Sequence, residues 1–293
     1  MFEREKKFFR NIRRQKNRQS QNARIEYRTR ILSAKSSFVV SEAYNKLRTN
    51  LMYTLADKKC PVIGVTGSFK GCGKSLTLAN LAIALSQLGK RVLVIDCDLR
   101  SPVQHRIFNL KNKTGVSEIL GGFQQGNINV AQPKEYPNVS VLTGGRVPPN
   151  PSELLAGARM EKLVALAKKS YDMVIIDLPP INVVTDAGVI SGLVDGYLFV
   201  VRAGIDDNNA VYDAIATLKQ MNANILGTVL NDVNVEQNAK RYGRYGRYGY
   251  GRYGYGYGVA PEASADAAVT AEPLYNAASD EEMSFAPTEG ADS

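Results

Sequence analysis

The sequence predicts an α/β fold in which a mostly parallel sheet is covered by helices on both faces. Short apolar runs rich in β-branched residues recur from Pro61 to about residue 234, and helical segments separate them. The runs are apolar at successive positions instead of alternating with polar residues, as expected for strands that are buried on both faces. Parallel strands between two helix layers have this pattern.

The elements follow one another in a regular order. A first helix is expected behind Ser41 as its N-cap, because Ala43, Leu47, Leu51 and Leu55 repeat at helical spacing. Strands and helices then alternate, with strands at 62–66, 92–96, 173–177, 197–201 and 225–231 and helices after Gly73, from Ser152, near Asp186 and at about 208–221.

Two long connections, 101–138 and 144–151, interrupt this alternation. Ligands of such folds bind at the carboxyl edge of the sheet, so both connections are expected to border the site.

The two ends of the chain differ from its middle in composition. Residues 1–35 hold twelve Lys and Arg against three Glu, and residues 259–293 hold eight acids and no base. Segments so polar and glycine-rich bury too little apolar surface to offset the entropy of ordering. The prediction is a disordered basic arm at 1–37, a compact domain at 38–238, an Arg/Tyr/Gly cluster at 239–258 and a disordered acidic tail at 259–293.

Composition excludes several classes of protein. The three cysteines form no CxxC pair and His105 is the single histidine, which excludes a disulfide framework and a Cys/His zinc site. The N-terminus lacks the apolar region of a secretory signal, and no run approaches the roughly 18 apolar residues of a spanning helix. A cytoplasmic chain is expected. For its basic arm two interpretations stay open, contact with an anionic membrane surface and a solvated, partly helical arm.

The segment VIGVTGSFKGCGKSLTLANLAIAL predicts a strand, a glycine-rich turn and a helix. Backbone N–H groups of such a turn hold phosphate oxygens, while Lys74 neutralises phosphate charge and the Ser75 hydroxyl ligates magnesium. The loop is a variant, since Ser68 stands where the Walker A spacing has glycine. The predicted nucleotide-binding residues are Gly67, Ser68, Phe69, Lys70, Gly71, Cys72, Gly73, Lys74, Ser75 and Leu76.

Three carboxylates follow predicted strands at the same edge of the sheet, namely Asp96, Asp98 and Asp177. Capping of the next segment explains one of them but not all three, whereas Mg²⁺ would offset the cost of gathering them. We expect Asp96 to accept a proton in phosphoryl transfer, and Ser75, Asp98 and Asp177 to serve the metal, mostly through water. Lys74 and Asp98 complete the expected catalytic set.

Two assignments stay open at this stage. Asp96 and Asp98 alternate across the strand, so the sequence does not decide which of them accepts the proton. Arg100 either contacts phosphate or braces the acidic strand end.

A cluster of tyrosines separated by glycine lies beyond the predicted domain. Glycine is expected to make such a segment flexible, so that each phenol can enter an active site. The neighbouring arginines favour binding to a site rich in phosphates and carboxylates. An alternative interpretation is RNA binding through stacking and cation–π contacts. The predicted phosphoacceptors are Tyr242, Tyr245, Tyr248, Tyr250, Tyr253, Tyr255 and Tyr257.

The segments TGSFKGCGKS, VLVIDCDLRSP and MVIIDLPP, in this order, resemble the Walker A, A′ and B motifs of the bacterial protein-tyrosine kinases of the CpsD/CapB type. The resemblance covers about residues 38–234, including PPNPSELL, TDAG and GTVLN, and the tyrosine cluster completes it. Phe69 occupies the position of the signature lysine of MinD-like relatives, which favours the kinase branch, while Lys70, one residue further on, keeps the MinD-like alternative open.

This resemblance implies a P-loop kinase fold, Mg-ATP as phosphate donor, and phosphorylation of the tyrosine cluster between subunits in the regulation of capsule and exopolysaccharide synthesis. It also implies a transmembrane activator of the polysaccharide co-polymerase type, a cognate tyrosine phosphatase, and a location at the inner face of the membrane through the activator. The resemblance also implies ring-like self-association, with one departure from the oligomerisation motif Glu-x-x-Arg-x-x-Arg: Asn45 stands between Glu42 and Arg48 in place of the first arginine. By analogy with partition ATPases, Asn231 is expected to contact adenine.

Two rival hypotheses remain. The first is a MinD/ParA-like ATPase that organises a membrane or a partner without phosphorylating protein. The second is an ATP-gated scaffold whose tail recruits RNA or polymerase partners.

Overall fold

The structure is a computed structural model that describes residues 27, 29–124, 126–233 and the backbone of 285–288. The tyrosine cluster and most of both arms lie outside the described residues. The described helices are α1 (Phe38–Thr54), α2 (Lys74–Ser86), α3 (Gln104–Ile107), α4 (Val116–Leu120), α5 (Pro151–Ala156), α6 (Ala158–Ser170), α7 (Asp186–Val189) and α8 (Asn208–Gln220), with a 3₁₀ turn at Ser191–Leu193. The strands are β1 (Val62–Gly67), β2 (Val92–Asp96), β3 (Ile128–Ala131), β4 (Val139–Leu142), β5 (Met173–Asp177), β6 (Gly196–Arg202), β7 (Ile225–Asn231) and β8 (Phe285–Thr288).

These strands form one eight-stranded sheet in the order β7-β6-β1-β5-β2-β4-β3-β8. Neighbours from β7 to β4 pair in parallel, β3 pairs antiparallel with β4, and β8 pairs in parallel with β3. The predicted mostly parallel sheet is confirmed. The carboxyl ends of β1, β2 and β5 meet side by side at one edge, where Asp96 pairs in register with Asp177.

The core lies in two layers, one on each face of the sheet. Ile63 and Val65 of β1 pack into the layer that holds α2 and the inner face of α1, whereas Val62 packs into the layer that holds α6 and α8. Every residue of β1, β2 and β5 is buried. This burial on both faces is the physical reason why these strands are apolar throughout.

The first helix starts earlier than predicted. α1 begins at Phe38, and the Ser37 side chain caps it by accepting a hydrogen bond from the Val40 N–H at 3.4 Å. Ser41 lies inside the helix, so its assignment as the N-cap was wrong. Helical periodicity finds the buried stripe but does not decide between two serines four residues apart.

The domain also begins earlier than residue 38. Ile31 and Leu32 are 7% and 2% exposed and pack into the core beside α1 and α2. Asn80 Oδ1 accepts a hydrogen bond from the Leu32 N–H at 2.7 Å, and the Tyr136 hydroxyl donates to the Leu32 carbonyl at 2.8 Å. The end of the predicted basic arm is therefore part of the folded unit.

Two predicted irregular segments contain regular structure. The connection at 101–138 holds α3, α4 and β3, and β4 follows it directly. Residues 285–288, placed by sequence in a disordered tail, pair with β3. Strands of four residues carry too little periodicity to identify, and only the tertiary fold supplies the neighbour with which they pair.

Candidate active site

The phosphate loop connects β1 to α2 at the carboxyl edge of the sheet. Gly71 and Gly73 both have φ of +93°, a left-handed conformation that favours glycine. A Cβ on Gly67 would lie 2.6 Å from Cys72 Sγ and 2.7 Å from the Val200 carbonyl oxygen. The loop is therefore wound so tightly that glycine is required by backbone conformation at two positions and by space at a third.

The helix that follows this loop offers an anion site. α2 begins at Lys74 with Gly73 as its N-cap, and no described side chain caps its first turn. The exposed N–H groups and the helix dipole both favour phosphate at such a terminus. The predicted nucleotide-binding residues 67–76 thus fit a phosphate group.

Lys74 is buried among acidic side chains at the base of this loop. Its Nζ donates a hydrogen bond to Asp98 Oδ2 at 2.9 Å and lies 3.6 Å from Asp177 Oδ1. It also donates to Ser75 Oγ at 3.2 Å. The two carboxylates raise the pKa of the lysine and outweigh the opposing effect of burial, so Lys74 carries a positive charge at physiological pH.

Asp96, at the end of β2, is fully buried. Its Oδ2 accepts hydrogen bonds from the backbone N–H groups of Val103 and Gln104, both at 2.9 Å. Its other oxygen is buried and has no hydrogen-bond partner among the described residues. Burial, followed by the charge of Asp177, raises the pKa of Asp96 well above its ordinary value, which makes this carboxylate a stronger base than an exposed one.

Asp177 completes the acidic group and is also fully buried. Burial raises its pKa, while Lys74 and hydrogen bonds from Gln104 and Ser75 oppose that rise. The structure therefore brings Lys74, Ser75, Asp96, Asp98 and Asp177 together at one strand edge, as the sequence predicted.

Magnesium fits this group through water and phosphate oxygens. Within the described ranges no three acidic, histidine or cysteine side chains form a direct metal cage. Mg²⁺ usually keeps several waters and takes only one or two carboxylates besides the phosphates of its substrate. Asp96 Oδ1, which is buried without a hydrogen-bond partner among the described residues, and Asp177 Oδ1, which lies 3.6 Å from Lys74 Nζ, are the acceptors that such an ion with its waters would satisfy.

Gln104 is a site residue that the sequence analysis missed. It is fully buried at the start of α3, and its side-chain amide donates to Asp177 Oδ2 at 2.8 Å and to the Ser75 carbonyl at 3.1 Å. Gln104 thus links the phosphate loop to two of the carboxylates. Its position just beyond DLRSPV was the one available signal, because ligands of such folds bind at the carboxyl ends of the strands and this segment starts there.

Arg100 hydrogen-bonds to a different acidic residue from those at the strand ends, and its contact with phosphate stays a prediction. Its guanidinium makes two hydrogen bonds to the buried carboxylate of Asp186, at 3.0 and 3.2 Å, and a third to Ser152 Oγ at 3.0 Å. Ser152 Oγ also bonds to Asp186 Oδ1 at 2.5 Å. This contact joins the segment after β2 to the starts of α5 and α7 and braces the loops around the site.

Asn231 ends β7 beside the phosphate loop. Its side-chain amide donates to the Cys72 carbonyl at 2.9 Å, and a Cβ on Gly73 would lie 2.0 Å from its Nδ2. On the same side Ser68 Oγ donates to Asp206 Oδ2 at 3.3 Å. Asn231 thus supports the loop, and its expected contact with adenine stays a prediction.

The fold and this site define a P-loop nucleotide-binding domain. The sequence profile of the family described as "CobQ/CobB/MinD/ParA nucleotide binding domain" matches residues 63–245. The chain is 36% identical to "Tyrosine-protein kinase YwqD" of Bacillus subtilis (strain 168) over 207 residues, which are 70% of this chain and 86% of the relative. It is 34% identical to "Putative tyrosine-protein kinase CapB" of Staphylococcus aureus over 212 residues, 72% of this chain and 92% of the relative.

Solved structures agree with this result. The kinase domain of the Escherichia coli tyrosine kinase ETK superimposes with a TM-score of 0.64 at 34% identity, covering 74% of this chain and 80% of that one. The chain belongs to the bacterial tyrosine-protein kinases. The resemblance seen in the sequence motifs is confirmed. None of the helices in the described part of the chain has both the length and the apolar character needed to cross a bilayer.

Proposed function

We propose that the chain transfers the terminal phosphate of Mg-ATP to tyrosines of its own C-terminal cluster, in trans between subunits, and thereby regulates capsule or exopolysaccharide synthesis. One observation carries the proposal. A buried lysine contacts Asp98 and Asp177 at the start of an uncapped helix, with Asp96 beside them. Membership in the tyrosine-protein kinases supports protein as the acceptor, and the cluster from Tyr242 to Tyr257 supplies seven phenols on the same chain.

Each described residue has a defined task in this reaction. The phosphate loop and the first turn of α2 bind and orient the phosphates. The ammonium group of Lys74 then binds phosphate oxygens instead of the carboxylates. Ser75, Asp98 and Asp177 would hold Mg²⁺, mostly through water, and the ion would supply positive charge that offsets the charge of the phosphates. Asp96 takes the phenolic proton as the tyrosine oxygen attacks phosphorus, and the bond from phosphorus to the leaving oxygen of ADP breaks.

The raised pKa of Asp96 supports its role as the base. Phosphoryl transfer needs a group that holds the acceptor proton, and a carboxylate with an ordinary pKa holds it weakly at neutral pH. Burial and the neighbouring Asp177 shift the pKa of Asp96 upward. Asp98 is less deeply enclosed and is hydrogen-bonded to Lys74, which suits a group that serves the metal.

Partners of this chain are proposed from its family. A transmembrane activator of the polysaccharide co-polymerase type and a cognate tyrosine phosphatase would set the level of phosphorylation at the inner face of the membrane, and residues 1–35 offer twelve basic side chains to anionic lipid. Self-association is also proposed, through an oligomerisation motif that differs from that of the family. Asn45 donates to Glu42 Oε1 at 2.8 Å within α1, and Arg48 donates to the Ala84 carbonyl at 2.8 Å, so both ends of the variant motif make contacts within the chain.

Phosphorylation should also change the affinity of the cluster for the site. Each phosphate adds about 1.5 to 2 negative charges at neutral pH, so two or three offset the local arginines and further ones reverse the sign. The arginines are Arg241, Arg244, Arg247 and Arg252. A heavily phosphorylated cluster is therefore expected to leave the neighbouring subunit and loosen the assembly, and equal sedimentation of both forms would contradict this.

Intact-mass analysis tests the proposed reaction. The chain, incubated with Mg-ATP and the cytoplasmic segment of its activator, is expected to gain several phosphates that a tyrosine phosphatase removes. A variant with phenylalanine at all seven cluster tyrosines should gain none while still binding the nucleotide. Steady ADP release without any gain of mass in the unaltered chain would contradict the proposal.

Replacing Asp96 by asparagine should stabilise the chain while removing activity. Ionised Asp96 is costly in the fold, because its pKa is raised there above the ordinary value of 3.8. Stability therefore falls as the pH rises from that ordinary value to the raised one, and stays flat above it. We expect D96N to be more stable by about 1–2 kcal/mol at pH near 7.5, and slower in phosphorylation by about 10²-fold to 10⁴-fold.

Urea unfolding of ligand-free D96N and of the unaltered chain, at neutral pH and at about pH 4, measures the stability difference. The gain should shrink at acid pH, because the folded chain then holds Asp96 protonated and no longer bears the cost of a buried charge. A D96N variant that is less stable than the unaltered chain at neutral pH would show that ionised Asp96 is not costly in the fold. A D96N variant with full activity would show that Asp96 is not the base.

A further inference from the structure

The outer edge of the sheet opposite β7 is built from β3 and β8. β8 pairs with β3 in parallel, in a register that runs from Ile128 with Phe285 to Ala131 with Thr288. β3 has little other support in the sheet, since its pairing with β4 is a single register position, Ala131 with Val141. Without β8, β3 would be an edge strand with backbone donors and acceptors available to another strand.

The sequence of β8 suits an outermost strand. Pro287 lacks a backbone N–H, and proline is confined to edge strands or to the side of a strand that carries no ladder bond. Because successive residues of a strand direct their N–H groups to opposite sides, the donors toward β3 are assigned to residues 286 and 288. The backbone nitrogen of Pro287 is then assigned to the side of β8 away from β3, where no ladder hydrogen bond is needed.

Charge favours the same pairing. The residues that flank β8 are acidic and include no base between 280 and 293, the acids being Asp280, Glu281, Glu282, Glu289 and Asp292. A cavity of about 580 Å³ lies beside β3 and is lined by Asn129 and Ala131 together with exposed charged side chains, three of them basic and one acidic, namely Lys111, Lys113, Lys134 and Glu135. The basic rim and the acidic flanks are complementary.

The topology places the end of β7 and the start of β8 at the same edge of the sheet. β7 ends with Asn231 at the carboxyl edge, the edge that also holds the phosphate loop. β3 runs opposite to β4, and β8 runs parallel to β3, so β8 begins at that same edge. The chain that carries the seven tyrosines is thus joined to the domain at two points of one edge, on the two outermost strands.

We propose that the β3 edge is a docking site for residues 285–288 of the same chain, and that this docking restrains delivery of the tyrosine cluster to a neighbouring subunit. The second part rests on the proposed function. A segment tethered at both ends reaches fewer positions than one tethered at a single end, which lowers its effective concentration at another subunit's site. Release of β8 therefore raises the rate of phosphorylation in trans.

Hydrogen exchange of the full chain tests the docking without any nucleotide. A286P removes a donor that faces β3, and A286S keeps that donor as the matched control. Backbone amides of 128–131 are expected to exchange about tenfold faster in A286P, with those of β1 unchanged as an internal reference, and A286S should match the unaltered chain. Equal exchange of 128–131 in all three chains would overturn the proposal.

Two further measurements define the site. Protection of 128–131 should not depend on protein concentration, and protection that is lost on dilution would overturn docking in cis in favour of a second copy. Charge reversal at Lys111 and Lys113 should weaken the protection, whereas reversal at the distant, exposed Lys162 should not. Unchanged protection in the variant with reversed charges at Lys111 and Lys113 would show that these lysines do not contribute to the docking.

Phosphorylation tests the consequence. With Mg-ATP and activator, A286P is expected to gain phosphotyrosine about two to five times faster than A286S, and equal or slower gain would overturn the restraint. If neither chain gains phosphate, the proposed function fails while the exchange result still stands. The two failures are therefore distinguishable.

Discussion

Replacing Lys74 by methionine is expected to abolish phosphotyrosine formation, with a loss of at least about 10³-fold. The lysine is the buried cation of the site, and its Nζ lies 2.9 Å from Asp98 and 3.6 Å from Asp177. Its removal leaves phosphate charge without a partner and both carboxylates without a counter-ion. We also expect the free energy of unfolding to fall by about 2–4 kcal/mol, because an uncompensated buried charge is costly.

Two companion variants separate catalysis from folding. Lys74→Arg keeps the positive charge beside the carboxylates and should unfold like the unaltered chain, yet lose about 10²-fold in activity because a guanidinium fork does not replace a compact ammonium. Lys59→Met places the same substitution at an exposed site before β1, at the amino edge of the sheet, and should retain full activity. Intact mass measures the phosphate gained, and thermal unfolding measures the fold. A fully active Lys74→Arg would contradict a positional role for Lys74.

Replacing Gly73 by alanine is expected to weaken nucleotide binding by at least about 10²-fold. The new Cβ would lie 2.0 Å from Nδ2 of Asn231 and would occupy a position with φ of +93°. Either the phosphate loop unwinds or β7 moves away from it, and both changes displace the N–H groups that bind phosphate. Calorimetric titration with Mg-ATP measures this loss.

Gly71→Ala is the matched control, since it has the same φ of +93° but no atom within 4 Å of the added Cβ. Strain alone costs about 1–2 kcal/mol, so Gly71→Ala should lose much less affinity than Gly73→Ala. Combining Gly73→Ala with Asn231→Ala removes the clashing amide and should restore part of the binding. Equal losses in both single variants would show that the contact with Asn231 does not shape the loop.

The sequence was sufficient for the site residues that follow strands. Lys74 and Ser75 follow β1, Asp96 ends β2, and Asp177 ends β5. Parallel strands have their carboxyl ends at the same edge of the sheet. Residues that follow different strands therefore meet at that edge, and the sequence alone predicts this. Their convergence in the structure follows from this local rule together with the regular order of the sheet.

Other parts of the site depended on long-range contacts. Gln104 bonds to Asp177, 73 residues away, and Arg100 bonds to Asp186, 86 residues away. The local sequence around a glutamine or an arginine is the same whether or not the fold brings such a partner close, so it carries no signal of these contacts. The capping serine of α1 and the short strands β3, β4 and β8 escaped prediction for a related reason, because their patterns are too short to identify without the neighbours that they contact.

The amino-acid sequence by itself determined the class of fold, the phosphate loop, the acidic strand ends and the family of this protein, because all four depend on short-range patterns and on the alignment of parallel strands. Tertiary structure alone decided that Lys74 is held by Asp98 and Asp177, that Gln104 joins the loop to the carboxylates, and that residues 285–288 pair with β3. These features depend on which distant surfaces the fold brings within hydrogen-bond distance.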